Sequence, residues 1–204
     1  MHEALHINIY ERFRDQLVIG GTQHTWKTIG TATRRAQYGH PGGNGGGQGD
    51  SAGGPKAERA GVGAWPTLVI EAGDSESLIE LHNDMVWWFS ASGHDVQIVL
   101  LAKFDRTHRT LILEKWEEEA HIPGRPGATS TRVSSALEPV LRQTITITED
   151  TTTDPITYNV ARGALVLGFK LLYLRDPEDG EGDFVISVQE LQGYAEDVWT
   201  AVQD

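Results

Sequence analysis

The sequence predicts an α/β fold, with α+β as the alternative class, in which a mixed central sheet is flanked by helices. The apolar, β-branched run TLVIEA (Thr67–Ala72) lies between Pro66 and Gly73, which is typical of a buried strand. A segment with helical periodicity follows, and the runs VQIVLLAKF and RTLILEKWE then come as two strands joined by the turn DRTH. A strand, a helix and two further strands in succession favour a sheet with helices packed on it.

The helix of this central unit is predicted from about Leu78 to Ala91. Ser77 and Glu80 fit a capping box at its start, and Gly93 is expected to end it. Apolar residues recur at helical spacing along one stripe: Leu78, Leu81, Met85, Trp88 and Phe89. Trp87 points to another helix face, which makes it the candidate contact for a second layer, a partner or a homo-oligomer.

The remaining elements are assigned by the same patterns. Residues 4–18 carry a partial helical stripe, whereas residues 40–64 are rich in glycine and are expected to form a flexible loop. Residues 65–117 are the best-supported core. Residues 128–204 are expected to form a C-terminal extension in which QTITITE and GALVLGFKLLYL are strands and SVQELQGYAEDVWTAV is a helix.

Length and composition place the chain among soluble, intracellular, single-domain proteins. A chain of 204 residues holds one substantial core, so residues 1–204 are expected to be one domain. No apolar run approaches the roughly 18 to 20 residues of a membrane span, and the N-terminus lacks the apolar stretch of a secretory signal. We therefore expect no membrane partner and a cytoplasmic or nuclear location. The absence of cysteine excludes disulfides, thiolate metal sites and a cysteine nucleophile.

The net charge of −12 is unevenly distributed. Residues 1–70 carry a charge of +2, and the rest of the chain carries −14. A local basic footprint lies in the first part: Lys27, Arg34, Arg35, Lys56 and Arg59. An acidic chain of this kind argues against a non-specific DNA-coating protein, because phosphate neutralisation requires basic residues. It is compatible with a metal-dependent nuclease, in which carboxylates hold cations.

Glu71 and Asp50 are the candidate metal ligands. Glu71 ends an apolar strand, where a carboxylate is costly to bury and needs a partner, a cation or solvent. Asp50 lies about twenty residues upstream, and two carboxylates brought together can hold Mg²⁺ or Mn²⁺. In the alternative interpretation, Glu71 pairs with Lys103, Lys115 or an arginine, and Asp50 only belongs to the loop.

A serine hydrolase is a further hypothesis. The triplet Gly73–Asp74–Ser75 after a strand is similar to the nucleophile block of the GDSL esterases, and Asp105–His108 has the D-x-x-H form of their second block. In those esterases the two blocks lie near opposite ends of the chain, whereas here they are one helix and one strand apart. In the alternative interpretation, Ser75 or Ser77 caps the helix that follows, and residues 105–108 form a turn. These structural roles account for the same residues without catalysis.

Residues 49–117 resemble a group of fungal proteins and, more distantly, small bacterial domains of the PD-(D/E)XK restriction-endonuclease-like superfamily. The bacterial block similar to PDLVVEV-SPS matches the stretch WPTLVIEAGDSES, with Pro66, Glu71, Ser75 and Ser77 at comparable places and Asp50 as the upstream acid. The resemblance implies a restriction-endonuclease-like core with a C-terminal strand and helix extension. It also implies a Mg²⁺- or Mn²⁺-dependent nuclease acting on nucleic acid, in which Asp50 and Glu71 are catalytic residues that bind the metal.

In that superfamily a lysine helps to position or activate the attacking water. The simplest E-x-K form has lysine two residues after the glutamate, where this chain has Gly73, and relatives that carry the lysine on the next helix would place it at Asp84 or Met85. Lys103 is therefore the candidate catalytic lysine, and Lys115 and Lys56 are the other lysines that could substitute. The alternative is a catalytically inactive binding or assembly module of the same fold.

The histidines do not predict a zinc site. None of the eight belongs to an H-E-x-x-H motif or to another metal-ligand spacing: His2, His6, His24, His40, His82, His94, His108 and His121. Each is expected to be a surface or turn residue.

Overall fold

A seven-stranded mixed sheet forms the centre of the protein in the computed structural model, which describes residues 1–29, 34–35, 46–120 and 137–203. Its spatial order is β1, β4, β5, β6, β7, β8, β9. The strands of this sheet are β1 (Trp26–Ile29), β4 (Ser51–Pro55), β5 (Leu68–Gly73), β6 (Ile98–Asp105), β7 (Thr110–Ala120), β8 (Leu137–Asp150) and β9 (Thr157–Ala161). Two short ladders lie outside it: β2 (Arg34–Arg35) with β3 (Gly46–Gly47), and β10 (Leu165–Leu167) with β11 (Phe184–Ile186). The described helices are α1 (His2–Ile19), α2 (Leu78–Ala91), α3 (Phe169–Tyr173) and α4 (Val188–Gln203).

The predicted α/β class with a mixed central sheet flanked by helices is confirmed. Strands β5 and β6 are parallel, and α2 provides the crossover between them, because parallel neighbours cannot be joined by a tight turn. The other neighbours in the sheet pair antiparallel. The turn between β6 and β7 is the predicted hairpin, in which the Asp105 carboxylate accepts hydrogen bonds from the backbone N–H groups of Thr107 and His108.

The first hydrophobic core lies between the sheet and the helices α1 and α4. Alternate residues of β5 and β6 face it, for example Ile70 and Leu100, and both helices bury an apolar stripe there. The two helices also bond to one another: the Tyr194 hydroxyl donates to the Leu5 carbonyl at 3.1 Å, and Arg12 pairs with Asp197 at 2.6 Å. The helix predicted at residues 4–18 therefore forms.

The second core lies on the opposite face, beneath α2. Val69 and Leu101 point to this face from β5 and β6, and α2 contributes Leu81, Met85, Trp88, Phe89 and Ala91. The predicted capping box is present, since the Ser77 hydroxyl accepts from the Glu80 N–H and the Glu80 carboxylate accepts from the Ser77 N–H. The helix ends next to Gly93, whose φ of 62° is one that glycine adopts readily.

The expectation of a flexible loop at residues 40–64 is wrong for the segment 51–55, which is a regular strand. Ser51–Pro55 form β4, a fully buried strand between β1 and β5. A Cβ added at Gly53 would lie 2.6 Å from the Tyr10 hydroxyl and against the Trp26 indole. Glycine is required here because aromatic side chains pack directly on the strand backbone, so the composition that suggested flexibility reflects close packing. Residues 40–45 lie outside the described residues.

The C-terminal segment, predicted at residues 128–204 as an extension, is part of the main architecture where it is described. Strands β8 and β9 continue the central sheet, and α4 closes the first core. Within GALVLGFKLLYL only Leu165–Leu167 form a strand, and Phe169–Tyr173 form a helix that begins after Gly168. Residues 128–136 and 204 are not among those described. None of the helices in the described part of the chain is both long and apolar enough to cross a bilayer.

Candidate metal centre

Asp50 and Glu71 lie on neighbouring strands at one edge of the second core. Ser51 pairs with Ile70 in the antiparallel ladder of β4 and β5, so Asp50 stands directly before β4 and opposite Glu71. The Asp50 carboxylate accepts a hydrogen bond from the backbone N–H of Ala72 at 2.8 Å, which fixes it across the strand end. The structure thus brings together the two carboxylates that the sequence predicts as metal ligands; their role stays a prediction.

Helix α2 supplies the other side of the site. Trp88 is buried, and its indole N–H donates a hydrogen bond to the Glu71 carboxylate. Asp84 lies one helical turn earlier on the same face, because residues four apart on a helix are neighbours. The capping box fixes the start of α2 and so helps to hold both side chains opposite β5.

Two carboxyl groups of this site, those of Glu71 and Asp84, have raised pKa values. Burial, together with the nearby charge of Asp50, raises the pKa of Glu71 to about 8, although the N–H groups of Trp88 and Asp50 favour its ionised form. Burial and the charges of Asp50 and Glu80 also raise the pKa of Asp84. The proximity of the carboxyl groups of Asp50, Glu71 and Asp84 therefore favours either a shared proton or a bound cation.

A cleft of about 310 Å³ contains this site. Its described lining has no lysine or arginine: His2, Gly47, Gln48, Asp50, Glu71, Ala72, Glu76, Asp84, Trp87 and Trp88. Trp87, for which the sequence suggested a second layer, a partner or a homo-oligomer contact, lies along the cleft and packs over Gly47. A divalent cation fits this donor set, because carboxylate oxygens in a partly buried, negatively charged cleft are its usual ligands.

The candidate lysines point elsewhere. Lys103 donates from Nζ to the backbone carbonyls of Asp74 and Phe104, and it lines a separate pocket with Ser75 and Asp105. Lys115 donates to the Val166 carbonyl. Among the residues that the structure describes, no lysine or arginine pairs with Glu71, whose side chain bonds to Trp88.

Gly73 shows why the E-x-K lysine is missing. A Cβ added there would meet the Leu81 side chain at 2.9 Å, and Leu81 is fully buried in the second core. A side chain at this position would require Leu81, which anchors α2 to the sheet, to shift. The close contact between β5 and α2 thus disfavours a lysine at the place where the superfamily pattern has it.

The residues of the serine hydrolase hypothesis have structural roles. The Ser77 hydroxyl caps α2, and His108 Nδ1 lies 2.7 Å from Asp105 Oδ2 within the hairpin turn. Within the part of the chain that the structure describes, Ser75 and His108 form no hydrogen bond, which a nucleophile and its base require.

Two histidines of the site are not predicted by any sequence motif. His2 Nε2 lies 3.2 Å from Asp50 Oδ2, and His6 Nδ1 lies 2.9 Å from the Ser51 hydroxyl. Ligand atoms of His2, His6 and Asp50 all lie within 4.8 Å of one another. The only signal in the sequence is the four-residue spacing of the histidines, which puts both on one face if the N-terminus is helical.

Comparisons with known proteins add little to this geometry. No family model matches the sequence, and no curated protein matches it. A solved structure that is similar to the chain is that of a candidate nuclease of the DUF820 family from Anabaena variabilis, with 11% identity and a TM-score of 0.46 over 95% of this chain and 81% of that chain. A likeness this distant carries no argument about function.

Proposed function

We propose that this protein is a restriction-endonuclease-like domain that hydrolyses phosphodiester bonds of nucleic acid with a divalent metal, Mg²⁺ or Mn²⁺. The observation that carries the proposal is the pair of adjacent carboxyl groups, Asp50 and Glu71, in a cleft whose described lining has no basic residue except His2. Glu71 is ionised at neutral pH only if a positive charge compensates for its burial and for Asp50. A divalent cation supplies that charge.

The residues of the cleft have distinct roles in this proposal. Asp50 and Glu71 hold the cation, the Ala72 N–H fixes the Asp50 carboxylate, and the Trp88 indole orients Glu71. A cation bound there would lower the pKa of a water ligand and would polarise a phosphate oxygen. Hydrolysis forms one phosphorus–oxygen bond from an attacking water, which gives up a proton to solvent, and breaks the bond to the leaving oxygen, which takes up a proton.

The short ladder of β2 and β3 supports nucleic acid as the substrate. Arg34 pairs with Gly47 and Arg35 with Gly46, and Gly47 lines the cleft. The ladder therefore brings the backbone of Arg34, an arginine of the basic footprint, next to a glycine of the cleft lining, and Arg35 follows it in the strand. Arginine binds phosphate oxygens well, because its planar guanidinium offers several donors in fixed directions.

Cleavage assays test the proposal. Supercoiled plasmid, single-stranded DNA and RNA are each incubated with the protein and with Mg²⁺, Mn²⁺ or EDTA. We expect metal-dependent cleavage that falls at least 100-fold in Glu71→Gln and in Asp50→Asn. The matched control is Glu196→Gln, an exposed carboxylate on α4, which should cleave like the wild type. Absence of cleavage by the wild type, or equal cleavage by Glu71→Gln, would exclude the nuclease.

The second candidate is a catalytically inactive module of the same fold that binds nucleic acid or assembles with another protein. The position of the lysines favours it, because Lys103 bonds to backbone carbonyls and a side chain at Gly73 would contact Leu81 too closely. If the module binds nucleic acid, the double variant Arg34→Ala/Arg35→Ala should weaken binding and reduce its salt dependence, whereas Glu71→Gln should not. Filter binding at several salt concentrations, combined with the cleavage assay, separates the two candidates.

A further inference from the structure

The first turns of α1 bring two imidazole groups to the acidic cleft. His2 and His6 are four residues apart on one helix face, and their ring centroids are 5.5 Å apart. His2 Nε2 lies 3.2 Å from Asp50 Oδ2. Two ligands of one metal ion, each at roughly 2.0–2.2 Å from it, are about 3.0–3.6 Å apart, so this pair already has the separation of two bound ligands.

His6 is oriented as a metal-binding histidine is. Its Nδ1 lies 2.9 Å from the Ser51 hydroxyl, and both side chains are buried. Metal-bound histidines usually make a hydrogen bond with the ring nitrogen that does not bind the metal, which fixes the ring and its tautomer. The contact with Ser51 leaves His6 Nε2 as the ligand atom. Ser51 is itself fixed in β4, directly after Asp50, so the three groups are held by paired strands and one helix.

We propose that His2, His6 and Asp50 bind a divalent transition-metal ion of the Zn²⁺ or Mn²⁺ class, in preference to Mg²⁺. Their ligand atoms all lie within 4.8 Å of one another, which small side-chain rotations close onto one ion. Imidazole nitrogen is a good ligand for transition metals, whereas Mg²⁺ prefers oxygen. Two histidines and one carboxylate leave coordination positions open for water or a phosphate oxygen.

This inference rests on the proposed function in one respect, because it shares Asp50 with the proposed nuclease site. It changes the chemistry of that site: the metal is selected by α1, which lies on the other side of the central sheet from α2. Metal binding by the three residues does not require cleavage of nucleic acid, so the two proposals can be tested separately.

Metal binding to the untagged, metal-free protein tests the inference. Isothermal titration calorimetry with Zn²⁺ and with Mg²⁺, and the absorption spectrum of bound Co²⁺, are measured for the wild type and its variants. We expect Zn²⁺ to bind at least 100-fold more tightly than Mg²⁺, with a loss of 10- to 100-fold in His2→Gln and His6→Gln. Ser51→Ala, which removes only the group that positions His6, should weaken Zn²⁺ binding about tenfold.

The controls separate this site from other histidines and from the proposed nuclease. His24→Gln changes an exposed histidine whose imidazole lies beside the Gln23 side chain, and it should bind Zn²⁺ like the wild type. His2 is exposed, so His2→Gln should fold, which circular dichroism checks. Equal binding of Zn²⁺ and Mg²⁺, or unchanged Zn²⁺ binding in both His2→Gln and His6→Gln, would overturn the inference. Intact Zn²⁺ binding without cleavage would instead overturn the nuclease alone.

Discussion

Glu71 is an ionisable residue buried at the end of an apolar strand. Its neighbours in β5 are buried, and the residue itself is 9% exposed. Its carboxyl is compensated by the Trp88 and Asp50 N–H groups, and in the described structure no lysine or arginine side chain bonds to it. Ionisation of Glu71 therefore opposes folding unless a cation is bound.

The stability of the metal-free protein should fall as the pH rises because of Glu71. Its pKa is raised from 4.5 to about 8 in the folded protein, so between these values the folded state keeps a proton that the unfolded chain has lost. The free energy of unfolding then decreases with pH in this window, by up to about 1.4 kcal/mol per pH unit. Glu71→Gln should remove that slope, and it should be more stable than the wild type at pH 8.

Urea unfolding in EDTA between pH 5 and pH 8 measures this slope. Glu196→Gln, an exposed carboxylate, serves as the control and should keep the pH dependence of the wild type. An equal slope in Glu71→Gln and the wild type would contradict the prediction. Adding a divalent metal should stabilise the wild type most at pH 8, since metal ligation requires the ionised carboxylate.

Gly53→Ala should be strongly destabilising. The added methyl group would lie 2.6 Å from the Tyr10 hydroxyl and against Trp26, two buried side chains that are hydrogen-bonded to each other at 3.0 Å. Overpacking of this kind costs on the order of 1–3 kcal/mol. Gly61→Ala is the control, because nothing lies within 4 Å of the added methyl group there. Chemical unfolding of both variants compares them, and a neutral Gly53→Ala would show that β4 is not packed as described.

At the level of elements, α2 is the part on which the geometry of the cleft depends most. It joins the parallel strands β5 and β6, and it carries Asp84, Trp87 and Trp88 along the cleft. Its start is fixed by the reciprocal bonds of Ser77 and Glu80. A loosened first turn would change both the helix stability and the position of these side chains.

Ser77→Ala should destabilise the protein by about 0.5–2 kcal/mol, because an N–H group at the helix start loses its acceptor. Ser75→Ala is a matched control two residues earlier, since Ser75 is exposed and outside the capping box. Thermal unfolding followed by circular dichroism measures both. If the two serine variants lowered the melting temperature equally, the cap would not be responsible for the effect.

At the level of the whole molecule, two cores share one sheet. Alternate residues of β5 and β6 face opposite cores, with Ile70 and Leu100 in the first and Val69 and Leu101 in the second. Loss of packing in one core would disturb the strands on which the other core packs. The protein should therefore unfold as one cooperative unit.

A cavity in the first core should therefore lower the free energy of unfolding of the second core to the same extent. Leu191→Ala, on α4, is expected to cost about 2–5 kcal/mol, because Leu191 is fully buried. Circular dichroism and tryptophan fluorescence should shift together in urea, with the tryptophans of both cores contributing to the fluorescence: Trp26 and Trp199 in the first, Trp65 and Trp88 in the second. Ile79→Ala, at an exposed position of α2, should change stability little. Separate transitions for the two probes would show that the cores unfold independently.

The elements that could be predicted are those whose pattern lies in neighbouring residues of the sequence. The periodicity of residues 65–117 is local, so β5, α2, β6 and β7 could be predicted, as could the capping box of α2. Strand β4 could not, because Gly53 and Gly54 lack the side chains on which strand patterns depend. The short helix α3 was missed for a related reason: its apolar run has the length of a buried strand.

The sequence by itself determined the α/β class and the pair of acids, Asp50 and Glu71. Glu71 could be recognised because a carboxylate at the end of an apolar strand needs a partner, which is a local signal. Only the tertiary structure decided that the partner is a tryptophan N–H and not a lysine, that a buried β4 carries Asp50 to Glu71, and that His2 and His6 lie beside them. These facts depend on contacts between residues 17 to 48 positions apart along the chain, which no local pattern contains.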